Sequence, residues 1–261
     1  MAQDFLHKDV PALNRRVHRL GLAGSFGLDS DSVQAALDHG LNYVFWTPKM
    51  GKVTGPLRKT LAQNREKFVV SSGPTFAYFG GQLRRAIDKL LLELDTDYLD
   101  VLQLFWLGKI SAWTEGTIEA LLELRESGKV RKIGVSIHDR KRAGKLASEA
   151  AVDMLMVRYN AAHPGAEQDI FVHVDPAKTA VVAYTATRWR KLLKRPRGWD
   201  GPVPTAADCY RFCLSHPSVD VVLTGPKNRA QLEENLAGVS KGPMSEEELK
   251  WMREFGAVVH G

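Results

Sequence analysis

Residues 98–104, Tyr-Leu-Asp-Val-Leu-Gln-Leu, decide the fold: apolar side chains stand on both sides of this short run, whatever alternation is imposed on it. A strand that is half exposed alternates apolar with polar, whereas a parallel strand covered by helices and packed into a barrel interior does not need to. Outward from this run, similar short apolar segments recur at 20–24, 43–46, 68–72, 99–105, 132–136, 154–158, 180–184 and 219–224, with helical patterns filling the gaps. Eight strand and helix units in succession, without a glycine-rich first turn of the kind that marks an open dinucleotide-binding sheet, predict an α/β fold of the closed (β/α)8, or TIM-barrel, type. No internal linker interrupts the pattern, so one domain over residues 1–261 is expected.

Local signals agree with these units. Asp31 or Ser30 is a candidate cap before the helix carrying Val33 and Leu37, and Gly40 is its stop. Gly128 ends the helix in which Ile118, Leu121, Leu122 and Leu124 share a side, and Leu232, Leu236 and Val239 mark the last regular helix. Residues 196–204 read as a mobile loop, and Asp139 as the cap of the helix that follows it.

Composition sets outer bounds. The chain of 261 residues is 44% apolar and 25% charged, which excludes global disorder, and 36 Lys and Arg against 30 Asp and Glu leave a formal charge of +6. That mild excess suits small anionic ligands better than nucleic acid, for which no recognised motif is present. The two cysteines, Cys209 and Cys213, lie four apart in a helical stretch and are expected to pack as small core side chains. The polar amino terminus and the absence of any long apolar run point to a cytoplasmic protein without a membrane span.

Five segments also resemble aldo-keto reductase signatures in the right order: Gly40-Leu41-Asn42-Tyr43-Val44, residues 65–70, Asp97-Tyr98-Leu99-Asp100, residues 128–136, and Val221-Val222-Leu223-Thr224-Gly225. Gln231 to Asn235 continues the match, so that the resemblance spans roughly residues 19 to 255. It implies a nicotinamide cofactor, NADP or NAD, that gives hydride to a carbonyl while a Tyr donates the proton, aided by Lys, Asp and His. Such a relay works as a unit, because a Tyr becomes an adequate acid only when neighbours tune it.

Carried onto this chain, all four roles are vacant. The Asp position holds Phe45, the Tyr position Met50, the Lys position Gly73 and the His position Phe105. None of these can ionise or donate a proton, so the family's standard carbonyl-reductase mechanism is not expected. Lys49, Tyr43, Tyr78 and His138 are candidate substitutes, and His138, at the correct end of its strand, is the best of them; each also reads as a packing or solvated residue.

The resemblance implies a better preserved cofactor site. Ser136 survives from the three residues that hold the nicotinamide amide, whereas the other two fall on Ile137 and Met156. Tyr184 matches the stacking ring, Thr185 and Arg188 fall where a phosphate is held, Gly225, Lys227, Asn228 and Gln231 fall on the last loop, and Glu234 and Asn235 match adenine contacts. Residues 188–197 carry six cations in ten, which reads either as solvated surface or as a phosphate-binding loop. The rings of Phe45, Trp46, Phe105, Trp106, Tyr159 and Tyr184 cluster near strand ends, although alternation prevents Phe45 and Trp46 from lining the same cavity. With Arg158, His163 and Arg188 nearby, the mouth should take a small anionic or aromatic molecule. Two functions are compatible with these residues: an oxidoreductase with a changed proton source, and a non-catalytic sensor or partner protein that binds a phosphate-containing ligand.

Overall fold

Eight parallel strands close into a barrel in the order β10-β3-β4-β5-β6-β7-β8-β9. They are β3 (Leu20–Ala23), β4 (Tyr43–Phe45), β5 (Val69–Ser72), β6 (Leu99–Leu104), β7 (Val130–Ile137), β8 (Met154–Arg158), β9 (Ala180–Tyr184) and β10 (Val221–Thr224). The computed structural model describes residues 4–24 and 26–260, so residues 1–3, 25 and 261 of the expected single domain lie outside it. Every residue of β6 is buried, as its two-sided apolar pattern requires.

Alternation along the strands splits the core in two. Tyr43, Val69, Val101, Met154, Met156, Val182 and Leu223 fill the barrel interior, while Val44, Val70, Leu102, Leu104, Val135 and Leu155 face the helices. The outer layer is carried by α1 (Ser30–Asp38), α2 (Gly51–Asn64), α3 (Gly80–Leu94), α4 (Glu115–Glu126), α5 (Arg140–Ser148), α6 (Ala166–Asp169), α7 (Ala206–Ser215), α8 (Arg229–Val239) and α9 (Glu246–His260). Among the described residues, no helix is long and apolar enough to cross a membrane.

Several local expectations need correction. The cap of α1 is Asp29, whose side chain accepts from the Ser32 N–H at 2.8 Å, so Ser30 and Asp31 already belong to the helix. The sixth crossover holds only the four-residue α6 and a 3-10 turn, Phe171–His173, rather than a regular helix. Regular structure does not end with α8: α9 follows and buries Met252, Phe255 and Gly256. The polar start forms a hairpin of β1 (His7–Val10) and β2 (Arg15–His18), whose Val10 and Val17 plug the amino-terminal end of the barrel. Residues 196–204 are irregular but tied down, with the Trp199 ring 5.2 Å from that of Phe255 and Arg195 donating to the carbonyls of Trp199 and Gly201.

Other expectations coincide with the structure. Asp139 caps α5 through the Arg142 N–H at 3.0 Å, and Gly40 and Gly128 take left-handed conformations just beyond α1 and α4. Cys209 and Cys213 are buried free thiols, and burial pushes both up in pKa.

Candidate functional site at the barrel mouth

At the carboxyl ends of the strands, the four positions onto which the resemblance carries the relay fall in two different layers. Phe45 and Phe105 point into the mouth and meet edge to face, 5.6 Å between ring centroids. Met50, by contrast, caps α2 and is buried in the layer between barrel and helices. Gly73 is buried where β5 leaves the sheet, and a Cβ placed on it would overlap the carbonyl oxygen of Gln103. A side chain at position 73 is therefore opposed by the β6 backbone itself.

Of the rings near the strand ends, Trp46 and Tyr159 point outward. Trp46 donates Nε1–H to Thr54 Oγ1 at 3.0 Å, and Tyr159 donates its hydroxyl to Glu167 while packing on Phe171 and Phe212. Trp106 stays at the mouth, 45% exposed, in a left-handed backbone conformation with φ 44°. Its N–H donates to Ser136 Oγ at 2.7 Å, which orients the Ser136 hydroxyl and leaves its proton available for a ligand acceptor. Met156 offers no such donor; its sulfur accepts from Gln103.

The ionisable groups of the mouth are contributed by β7, β8 and β9. His138 Nε2 and the Tyr184 hydroxyl are 3.0 Å apart, and the Trp106 ring lies 5.5 Å from the imidazole. Burial, and then the Arg158 charge, lower the pKa of His138. A neutral imidazole accepting from the Tyr184 O–H follows at neutral pH. Burial pushes Tyr184 up to about 12 against the opposing pull of Arg158. Tyr43 is raised by burial deep in the barrel, and Tyr78 is turned to the Lys109 carbonyl, so neither reaches the mouth as an acid.

Beyond β9 the chain enters an unusual turn. Thr185, Arg188, Trp189 and Arg190 all have positive φ, between 49° and 68°, in a region that side chains disfavour. Asn160, fully buried, holds this turn by donating to the Thr185 carbonyl at 2.9 Å while accepting from the Ala162 N–H and His163 Nδ1. Burial first, and then Arg158 and Arg188, depress His163 to about 4. Arg188 itself donates to the carbonyls of Val259 and His260 at the end of α9, so the carboxyl-terminal helix is latched to the mouth. Replacing Asn160 by Ala leaves a buried N–H and a carbonyl without partners and should lower the unfolding free energy by about 2 kcal/mol, as read by urea denaturation.

The positions matched to a nicotinamide dinucleotide are only partly free to hold one. Thr185 Oγ1 is buried without any hydrogen-bond partner, an orphan hydroxyl where the sequence places a phosphate contact. The ring of Phe26, itself exposed, lies directly against Gly225. Asn228 caps α8 by accepting from the Gln231 N–H, and the Gln231 side chain accepts from the Lys227 N–H. Asn235 is turned inward, donating to Thr224 Oγ1, which in turn bonds Tyr210. Glu234 and Lys227 remain exposed on the rim. Among the described residues, no group of three His, Cys, Asp or Glu side chains is placed to hold a metal ion.

What the sequence reasoning missed are the roles of Asn160 and of the backbone at Gly73. The Tyr159-Asn160 pair just beyond β8 carries a visible signal in an Asn two residues after a buried strand, whereas the Gly73 contact depends on cross-strand register.

Comparison with known proteins places this geometry. Residues 31–196 match the model of the aldo/keto reductase family. Aldo-keto reductase YhdN of Bacillus subtilis is 23% identical over 168 residues, 59% of this chain and 50% of that protein. L-galactose dehydrogenase of Arabidopsis thaliana is 23% identical over 255 residues, covering 80% of this chain and 77% of the other. The matched part of the chain thus spans half the length of YhdN and 65% of the oxidoreductase YqkF of the same bacterium. Among solved structures, the holo form of aldo-keto reductase AKR11C1 from Bacillus halodurans superposes with a TM-score of 0.79 at 21% identity over 95% of both chains, a likeness of fold alone. With the family model matched across well over half its length, the chain belongs to the aldo/keto reductase family.

Proposed function

We propose that this chain binds a nicotinamide dinucleotide, NADP or NAD, at the mouth of its barrel and does not reduce carbonyls by the proton relay of its family. The observation that carries the reading is Gly73: the lysine site is occupied by the Gln103 backbone, so that loss of the relay is built into strand packing. Members of the family generally bind NAD(P), and the orphan Thr185 hydroxyl, the oriented Ser136 hydroxyl and the Tyr184 ring suit the phosphate, the amide and the flat face of such a ligand. A bound nicotinamide would supply a hydride. The chain itself offers no tuned acid beside it, only a phenol that burial has weakened.

The Tyr184–His138 hydrogen bond favours a second reading, an oxidoreductase with a changed proton source. Titration with NADPH and NADH, following tryptophan emission and then adding a panel of aldehydes and ketones, separates the two. The expected result is saturable binding without oxidation of the cofactor. Turnover at rates usual for enzymes would establish the second reading, and failure of both dinucleotides to bind would remove the first.

A further inference from the structure

Register puts three side chains on the last interior rung of the barrel. Ile137 of β7 pairs with Val157 of β8, and Arg158 of β8 pairs with Tyr184 of β9, so His138, Arg158 and Tyr184 follow one another around the mouth. The His138–Tyr184 hydrogen bond spans the intervening strand at 3.0 Å, and the charge of Arg158, on that strand, acts on both partners. Arg158 is half-buried, and among the described residues its guanidinium makes no hydrogen bond and no ion pair. Arg19, Arg65, Arg131, Arg188 and Arg211 all spend their N–H groups on carbonyls or carboxylates.

The N–H groups of Arg158 are open to solvent at the mouth, where the oxygens of a ligand could take the place of water. The charges acting on neighbouring His163 come from Arg158, Arg188, His260 and Arg140, with no carboxylate among them. Nearby acids are already engaged: Asp139 caps α5, and Glu167 serves Tyr159 and Arg253. Arg140 is answered by Asp169 at 2.6 Å, but among the described residues no carboxylate pairs with Arg158. Its walls are flat and apolar, with Trp106 against His138 and Phe45 against Phe105.

We propose that Arg158, with the His138–Tyr184 pair, is a subsite for the carboxylate of a small planar organic acid, whose ring lies against the aromatic wall of the mouth. A guanidinium fork matches the two oxygens of one carboxylate, and the His–Tyr pair supplies a neutral hydrogen-bonding edge. A phosphate dianion is the poorer match, since a single fork leaves one charge and further oxygens unmet. The proposal does not rest on dinucleotide binding, because the guanidinium is unmatched in either case.

The test uses the full chain with three probes: benzoate, benzamide as its uncharged counterpart, and inorganic phosphate, read by tryptophan emission and by the His138 ring signals in NMR. Benzoate is expected to bind and to shift the His138 signals, with benzamide roughly tenfold weaker or more, as expected when one desolvated charged hydrogen-bond pair is lost. Arg158→Gln should lose benzoate affinity by a similar factor while its melting temperature holds, because the guanidinium donates to no group of the fold. A merely structural arginine would lower the melting temperature instead. Arg158→Lys, which keeps the charge without the fork, should fall between. The proposal is overturned if benzoate does not bind, if benzamide binds equally well, if Arg158→Gln binds benzoate as the parent does, or if phosphate displaces benzoate at equal concentration.

Discussion

Gly73→Ala should destabilise the protein by about 3 kcal/mol, and Gly73→Lys by more, without any gain of carbonyl reductase activity. A Cβ at this position overlaps the Gln103 carbonyl oxygen, which belongs to the backbone of a central strand and has no rotamer with which to yield. Overpacking that can be relieved only by moving backbone costs about 1–3 kcal/mol and occasionally more. Lysine adds an ammonium to a buried position whose nearest neighbours are the backbone of Gln103. Thermal unfolding should show the alanine variant melting roughly 5–10 °C lower. Installing Phe45→Asp, Met50→Tyr and Phe105→His alongside Gly73→Lys would not rebuild the relay, because Met50 lies in the outer layer rather than in the mouth. A quadruple variant that folds with unchanged stability and reduces aldehydes would refute the claim that β5–β6 packing excludes the lysine.

The same glycine marks the limit of what the chain discloses as a string of letters. That Phe45, Met50, Gly73 and Phe105 stand where four polar groups are expected is visible in the sequence, since each sits inside a well-matched segment. That one vacancy is enforced by a neighbouring strand is not, because it depends on how closely β5 approaches β6. The barrel was legible because parallel strands buried on both faces are continuous apolar runs; the proposed bounds of β8 and β9 coincide with those of the structure. The β1–β2 hairpin was not, because Val10 and Val17 are the only apolar residues among its eight and the rest are charged or histidine. The long α9 was overlooked although Met252, Phe255 and Val259 recur at helical spacing, for the barrel count was already complete at α8. Arg158 reads in the sequence as one of several cations near the mouth; that it stands between His138 and Tyr184 on one rung appears only from strand register.

At the opposite end of the barrel, Arg65→Met should lower stability by about 3–5 kcal/mol at neutral pH, the usual consequence of stripping one partner from a buried ion pair. Arg65 lies 2.8 Å from the buried Asp100 carboxylate, stacks 3.7 Å over the Tyr98 ring and donates to the Tyr98 carbonyl. Asp100 also accepts from the Val70 N–H, which fixes β5 against β6. Even so, burial outweighs Arg65 and the other lowering contacts, and the Asp100 pKa stands above its ordinary value. A carboxyl whose folded pKa is raised favours the folded state when protonated and loses that contribution as pH rises through the folded pKa. Removing Arg65 takes away the largest of the contacts that hold the pKa down, so it must rise further. Acidification from neutral should therefore stabilise Arg65→Met relative to the parent, and urea unfolding across that range should show the gap between the two narrowing. Adding Asp100→Asn removes the stranded charge while keeping an acceptor for Val70, and should restore part of the loss at neutral pH. A gap that stays constant with pH, together with no recovery in the double variant, would mean that Arg65 acts through its stacking on Tyr98 rather than through the carboxylate.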